Sequence, residues 1–118
     1  MSDSSGTFDT PDFARELEGE PNFAVGTRML FENDTVRVWE IELAPGERAP
    51  FHWHTHNYFY VCVEPGRART RFPNGYFAEG DEERGGVAYM EHTAEEPGIH
   101  DLENVGEKTI RYVTVELL

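Results

Sequence analysis

All five histidines of the chain lie between positions 52 and 100, as His52, His54 and His56 in one stretch and His92 and His100 in another. On an extended strand, residues two apart point the same way and stand about 6–7 Å apart, so His52 and His54 can present their imidazoles to one point. That is a chelating geometry. Neutral imidazole suits Fe, Ni, Cu, Zn and similar ions, and three such ligands leave coordination positions open for water or substrate. A lone H-x-H pair is also found among surface and satisfied core histidines, so its meaning depends on the elements that carry it.

Those elements belong to one domain. The chain has 118 residues, 38% of them hydrophobic and 13% aromatic, which is enough for a core and leaves no room for a second domain. A formal charge of −13 repels phosphate backbones and anionic membrane surfaces, so nucleic acid and membranes are excluded as expected partners. The start of the chain lacks the basic and apolar stretches of a secretory signal, and no segment reaches membrane-spanning length, so a cytoplasmic location is expected. The single cysteine, Cys62, sits in the apolar run 59–63 and reads as a small core residue rather than a nucleophile.

Residues 1–9 are small and polar and are expected to fray. Thr10 as a cap, Pro11 at the first helical position and Asp12 in the first turn predict a short helix ending near Gly19, docked through Phe13, Ala14 and Leu17. This tail and helix span 1–22, and a β domain spans 23–118. From Val25 onward the period is two, with Gly, Pro, Asn and Asp at short intervals, as in an all-β sandwich or barrel. Turns are predicted at 32–34, at Pro45-Gly46, at Pro73-Asn74-Gly75 and at Val105-Gly106, and 81–83 reads as an acidic loop. The stretch 36–43 switches apolar parity between Val38 and Trp39, which predicts a bulge or a strand buried on both faces. Arg67, Arg69 and Arg71 share one face of their strand.

Two motifs carry a resemblance to a known family. Gly46, five residues, His52, one residue and His54, followed after a strand by Gly66, resembles the first motif of the cupins. Pro97-Gly98-Ile99-His100, with Asn104 four residues on, resembles the end of their second motif. The resemblance covers about residues 25–118 and points to a small, single-domain, cupin 2-like protein. It implies a double-stranded β-helix that holds a divalent metal ion (Fe, Ni, Zn, Mn or Cu) through His52, His54 and His100. Where the family usually has a metal-binding glutamate, this chain has Tyr58, or Phe59 if the gap is one longer. The site is then a three-histidine site or is completed by another residue, His56 being the nearest in sequence although it falls in the turn between strands. An expansion between Gly86 and Pro97 puts His92 and Glu96 either at the barrel mouth or in a surface loop.

The resemblance implies a small-molecule ligand and one of two roles. The first is a metal-dependent dioxygenase or related enzyme, with Tyr58 and His56 as catalytic candidates and His92 and Glu103 as further possible bases. The second is a non-catalytic binding or sensing protein with a relaxed metal site. A third, weaker reading is a structural dimer whose histidines are vestigial. A homodimer is expected in any case, through alternating segments such as 36–43 left exposed at a sheet edge.

Overall fold

The computed structural model describes residues 3–118. Ten strands are present among them: β1 (Ser4–Thr7), β2 (Arg28–Glu32), β3 (Val36–Leu43), β4 (Arg48–His54), β5 (Asn57–Glu64), β6 (Gly66–Arg71), β7 (Tyr76–Glu82), β8 (Val87–Met90), β9 (Gly98–Asn104) and β10 (Ile110–Leu117). They form two antiparallel sheets, ordered β1-β7-β6-β9-β4 and β2-β3-β10-β5-β8. Ala49 and Ala68 of the first sheet pack on Ile41, Leu43, Cys62, Ile110 and Tyr112 of the second, closing one end of the barrel. Ile110 is fully buried, which stabilises the fold by about 1.5–3 kcal/mol. Gly66 is required there, because a Cβ at that position would run into the Ile110 side chain.

The turns form where their residues favour them. Gly46 and Gly75 take positive φ, 85° and 90°, at the Pro45-Gly46 and Asn74-Gly75 turns. Asn33 Oδ1 accepts the backbone N–H groups of Thr35 and Val36, turning β2 into β3. Asn104 acts as a buried staple between β9 and β10: its amide donates to the carbonyls of Leu43 and Lys108, and its Oδ1 accepts from Gly106 N–H.

Several expectations need correction. Ser4–Thr7 do not fray: they pair with Tyr76–Glu79 as an edge strand. The predicted helix is a 3₁₀ turn (Thr10–Phe13) running into α1 (Ala14–Leu17), with Asp9 rather than Thr10 at the N-cap position and no capping hydrogen bond from its side chain. Asp81 and Glu82 lie in β7 rather than in a loop, because β6 sets its arginines beside the acidic strand: Arg67 pairs with Glu79 and Asp81, and Arg69 with Glu79. The bulge is in β2, where Leu30 is the extra residue opposite the Val38/Trp39 parity switch. β3 lies between β2 and β10, so Val36–Leu43 is no edge, and the edge-pairing argument for a dimer falls.

Residues 3–22 are tied to the barrel at both ends. β1 is hydrogen-bonded to β7, and Glu16 of α1 accepts a two-pronged ion pair from Arg48 at 2.8 and 2.9 Å together with the Phe51 N–H. No helix among the described residues is long and apolar enough to cross a membrane.

Candidate metal centre

β4 and β9 are neighbours in the first sheet, and their register sets His52 directly opposite His100. The irregularity between Ala49 and His52 lets β4 turn both His52 and His54 inward, so the three imidazoles converge. Ring centroids stand 4.6 Å apart for His52 and His100, and 4.9 Å from His54 to each of the others. One nitrogen from each ring lies within 4.8 Å of the other two. His54 Nε2 and His100 Nε2 are 2.9 Å apart, close to the ~3.0–3.4 Å separating two nitrogens that share one ion at about 2.1 Å.

The hydrogen bonds around the cluster leave lone pairs facing inward. His52 Nδ1 donates to Pro50 O at 2.9 Å and His100 Nδ1 to Asp101 O at 3.0 Å, which places the unprotonated nitrogen of each ring on Nε2. His54 Nδ1 is buried without a partner among the described residues. Burial first, and then the neighbouring imidazoles, hold His54 far below the usual histidine range. His52 is lowered to about 4, chiefly by burial, and His100 to about 3, by burial and then by His52. All three rings are therefore neutral at pH 7, the state that binds metal. Three neutral imidazoles with converging nitrogens fit a divalent ion.

Above the histidines lies a cavity of about 500 Å³ with largely apolar walls that include Ile41, Phe72, Met90 and Leu102. Tyr58 is buried beside it and stacks flat on His54, with ring centroids 3.9 Å apart and planes at 11°. Burial pushes the Tyr58 phenol well above its usual range, so it is neutral. Phe59 is on the opposite face of β5, which makes Tyr58 the residue at the glutamate position.

The structure separates the remaining candidates. His92 lines the cavity, its ring centroid 6.1 Å from that of His54 and 5.9 Å from that of Tyr58, and its backbone N–H donates to Asn57 Oδ1. Gly98 is needed beneath it, because a Cβ there would meet the His92 ring. Glu96 is exposed and bonds only locally to Thr93 among the contacts seen. His56 lies in the turn between β4 and β5, outside both the cluster and the cavity wall. Glu103 faces outward and pairs with Arg71 at 2.7 Å. Sequence reasoning missed Tyr60, Glu82 and Tyr112, which also line the cavity. The signal was present for Tyr60, two residues beyond Tyr58 on the same strand face.

No family model matches the chain, and no curated protein matches it in sequence. Solved structures match it in fold. A cupin domain from Bordetella pertussis Tohama I superposes with a TM-score of 0.68 at 22% identity, covering 84% of this chain and 97% of that one. A conserved protein with a double-stranded β-helix domain from Klebsiella pneumoniae gives 0.60 at 21% identity, over 93% and 87% of the two chains. A cupin superfamily protein from Desulfitobacterium hafniense gives 0.56 at 17%, over 80% and 82%. The two sheets and these likenesses together show that the chain has the cupin fold, a double-stranded β-helix.

Proposed function

We propose that His52, His54 and His100 hold one divalent metal ion on which a small organic molecule binds, and that the protein is a three-histidine, metal-dependent dioxygenase or related enzyme. The observation that carries this reading is the convergence of three neutral imidazoles, His52 and His54 buried and His100 half-buried, at the wall of a cavity of about 500 Å³. Uncharged ligands leave the ion its full charge, and a bound divalent ion would then act as a Lewis acid toward an anionic enol or diketonate. The chain's own residues would orient that ligand: Phe72, Met90 and Leu102 exclude water, and Tyr58 and His92 flank the histidines. The test is metal content followed by oxygen uptake with small dicarbonyl and phenolic compounds. One metal per chain in the wild type, lost when His52 and His54 are both changed to alanine in a folded protein, is the expected result. Full metal content in that double variant would sink the assignment.

A second reading, a binding or sensing protein without turnover, is favoured by one observation. Of the four bases considered, His56 and Glu103 lie outside the cavity and Tyr58 is held protonated, which leaves His92 alone on the cavity wall. Ligand binding without oxygen uptake in the metal-loaded protein would select it. In either reading the protein is taken as cytoplasmic and homodimeric. The pairing surface is the outer face of the second sheet, where register aligns Val113 with Val61 and Val87, and Val115 with Phe59 and Tyr89. On a chain of charge −13, this uncharged strip lets two copies approach with the least repulsion. Light scattering that returned 13.5 kDa in dilute solution would refute the dimer.

A further inference from the structure

The cavity has a second polar group at the end away from the histidines. Tyr60 and Tyr112 meet edge to face with ring centroids 5.5 Å apart, and both line the cavity with Glu82. Register sets Tyr112 opposite Cys62, four residues along β5 from Tyr58, a displacement of about 13 Å. Glu82 pairs with Gly66 at the start of β6, whereas Phe72, beside His100, follows the end of that strand. The two polar groups thus occupy opposite ends of the cavity, whose wall also includes Ile41, which register sets opposite Tyr112, and Thr70 and Leu102.

This second group is short of hydrogen bonds. Tyr60 Oη donates to Glu82 Oε1 across 3.5 Å, at the limit of a hydrogen bond. Tyr112 is 3% exposed, and its hydroxyl is buried with no partner among the described residues. A buried hydroxyl beside a carboxyl, left unbonded inside a protein, needs an explanation, since such groups are nearly always paired. Burial, and then the nearby carboxyl groups, also push the phenol of Tyr60 up to about 12 and raise Glu82, so neither matches its solution behaviour.

We propose that Tyr60, Tyr112 and Glu82 form a recognition subsite for a neutral hydroxyl group on the distal end of the ligand. A hydroxyl can accept from a tyrosine O–H and donate to the Glu82 carboxyl at the same time. A carboxylate or phosphate at that end is rejected by Glu82, with Asp3 adding to the negative field there. The ligand is then a mainly apolar molecule, aromatic or aliphatic, with oxygens for the metal at one end and an alcohol or phenol at the other. The inference rests on the metal-site reading for the near end only, and the far end can be tested separately.

The experiment compares matched probes that differ by one hydroxyl. In metal-free protein, p-cresol and toluene are titrated against the wild type, Tyr112→Phe and Tyr60→Phe, with binding followed by NMR. In zinc-loaded protein the pair is 4-hydroxybenzoylacetone and benzoylacetone. The wild type should prefer the hydroxylated member of each pair by about tenfold, the value of one well-made hydrogen bond. Tyr112→Phe should reduce that preference to below about twofold while leaving the affinity for toluene unchanged. Tyr60→Phe is the second variant should Tyr112→Phe fail to fold, with the same expectation. A wild type that binds neither hydroxylated probe, or a preference that survives both variants, overturns the subsite. Failure of benzoylacetone alone to bind, with the p-cresol preference intact, sinks the metal reading and leaves the subsite standing.

Discussion

The two faces of β4 and β9 carry two buried polar clusters built on opposite rules. Inward stand His52, His54 and His100; outward stand Asp101 and Glu103, on alternate residues of β9, and Arg48, which the irregularity between Ala49 and His52 turns to the other face of β4. Asp101 is fully buried, yet its carboxylate takes Arg48 Nε at 2.6 Å, Arg71 Nη1 at 3.0 Å and the Arg71 N–H at 2.7 Å. Arg48 goes on to Glu16, and its guanidinium lies 4.6 Å from the Phe13 ring. The outer cluster is saturated with partners of opposite charge. On the inner face, three like groups face one another and His54 Nδ1 has no partner among the described residues. A saturated buried cluster holds the fold together, whereas an unsaturated one waits for something to complete it.

The largest effect should come from breaking the saturated side. Asp101→Ala leaves two arginines beside an empty buried position, and removing one partner of a buried pair costs about 3–5 kcal/mol. The measurement is urea denaturation. A loss below about 1 kcal/mol would mean that the outer network is dispensable and that the contrast with the inner face is false. By the same contrast, the paired alanine changes at His52 and His54 should cost the fold much less while abolishing metal binding.

Acid separates the two faces by pH window. The inner imidazoles have folded pKa values below the unfolded value of 6.5, near 4 for His52 and near 3 for His100. As pH falls below about 6.5 the unfolded chain takes up protons that the folded chain refuses, so stability falls, by about 1.4 kcal/mol per pH unit for each proton. For Glu16, burial raises the pKa, but hydrogen bonds from Arg48 and Phe51 N–H outweigh it and lower the group below 4.5, so its contribution is lost only in stronger acid. Glu82 is raised and works in the opposite sense, favouring the folded state as pH falls. Thermal melts of metal-free protein should therefore decline between pH 6.5 and 4.5, and His54→Phe should flatten that decline. An unchanged slope in the variant would place the titration elsewhere.

What the sequence revealed follows the same division. Period-two alternation, Asn-Gly and Pro-Gly turns, and two histidines on one strand face are local features, so the β architecture and the His52/His54 pair were legible from neighbours in the chain. The meeting of His100 with them depends on register between strands 46 residues apart, and only the motif resemblance supplied it. The misreadings share a cause. Ser4–Thr7 and Asp81-Glu82 look too polar for a sheet, but Arg67 and Arg69 across the strand neutralise β7, and β1 is an exposed edge. Tyr112 meets Tyr60 through the pairing of β10 with β5, and Glu82 of β7 reaches them only when the two sheets close, so no local pattern marks them.

The smallest change tests what Tyr58 contributes at the boundary of the inner cluster. The sequence placed it where the family has a glutamate, which suggests a hydroxyl aimed at the ion. The geometry instead lays its ring face on His54, at 3.9 Å and nearly parallel, so packing, not the hydroxyl, is its clearest contact. Its phenol is raised by burial and is not available as a phenolate. Tyr58→Phe keeps the ring, and should change metal affinity by less than about tenfold and stability by less than about 1 kcal/mol. Tyr58→Leu removes the stacked ring and should cost more stability, on the order of 1–2 kcal/mol, through lost packing against His54. Tyr58→Glu should tighten metal binding, since it sets an ionisable carboxyl beside three neutral ligands. Calorimetric metal titrations at neutral pH on the three variants settle the matter. A fall of more than a hundredfold in the phenylalanine variant would show that the hydroxyl itself binds the ion, and the site would then be a three-histidine, one-tyrosine centre.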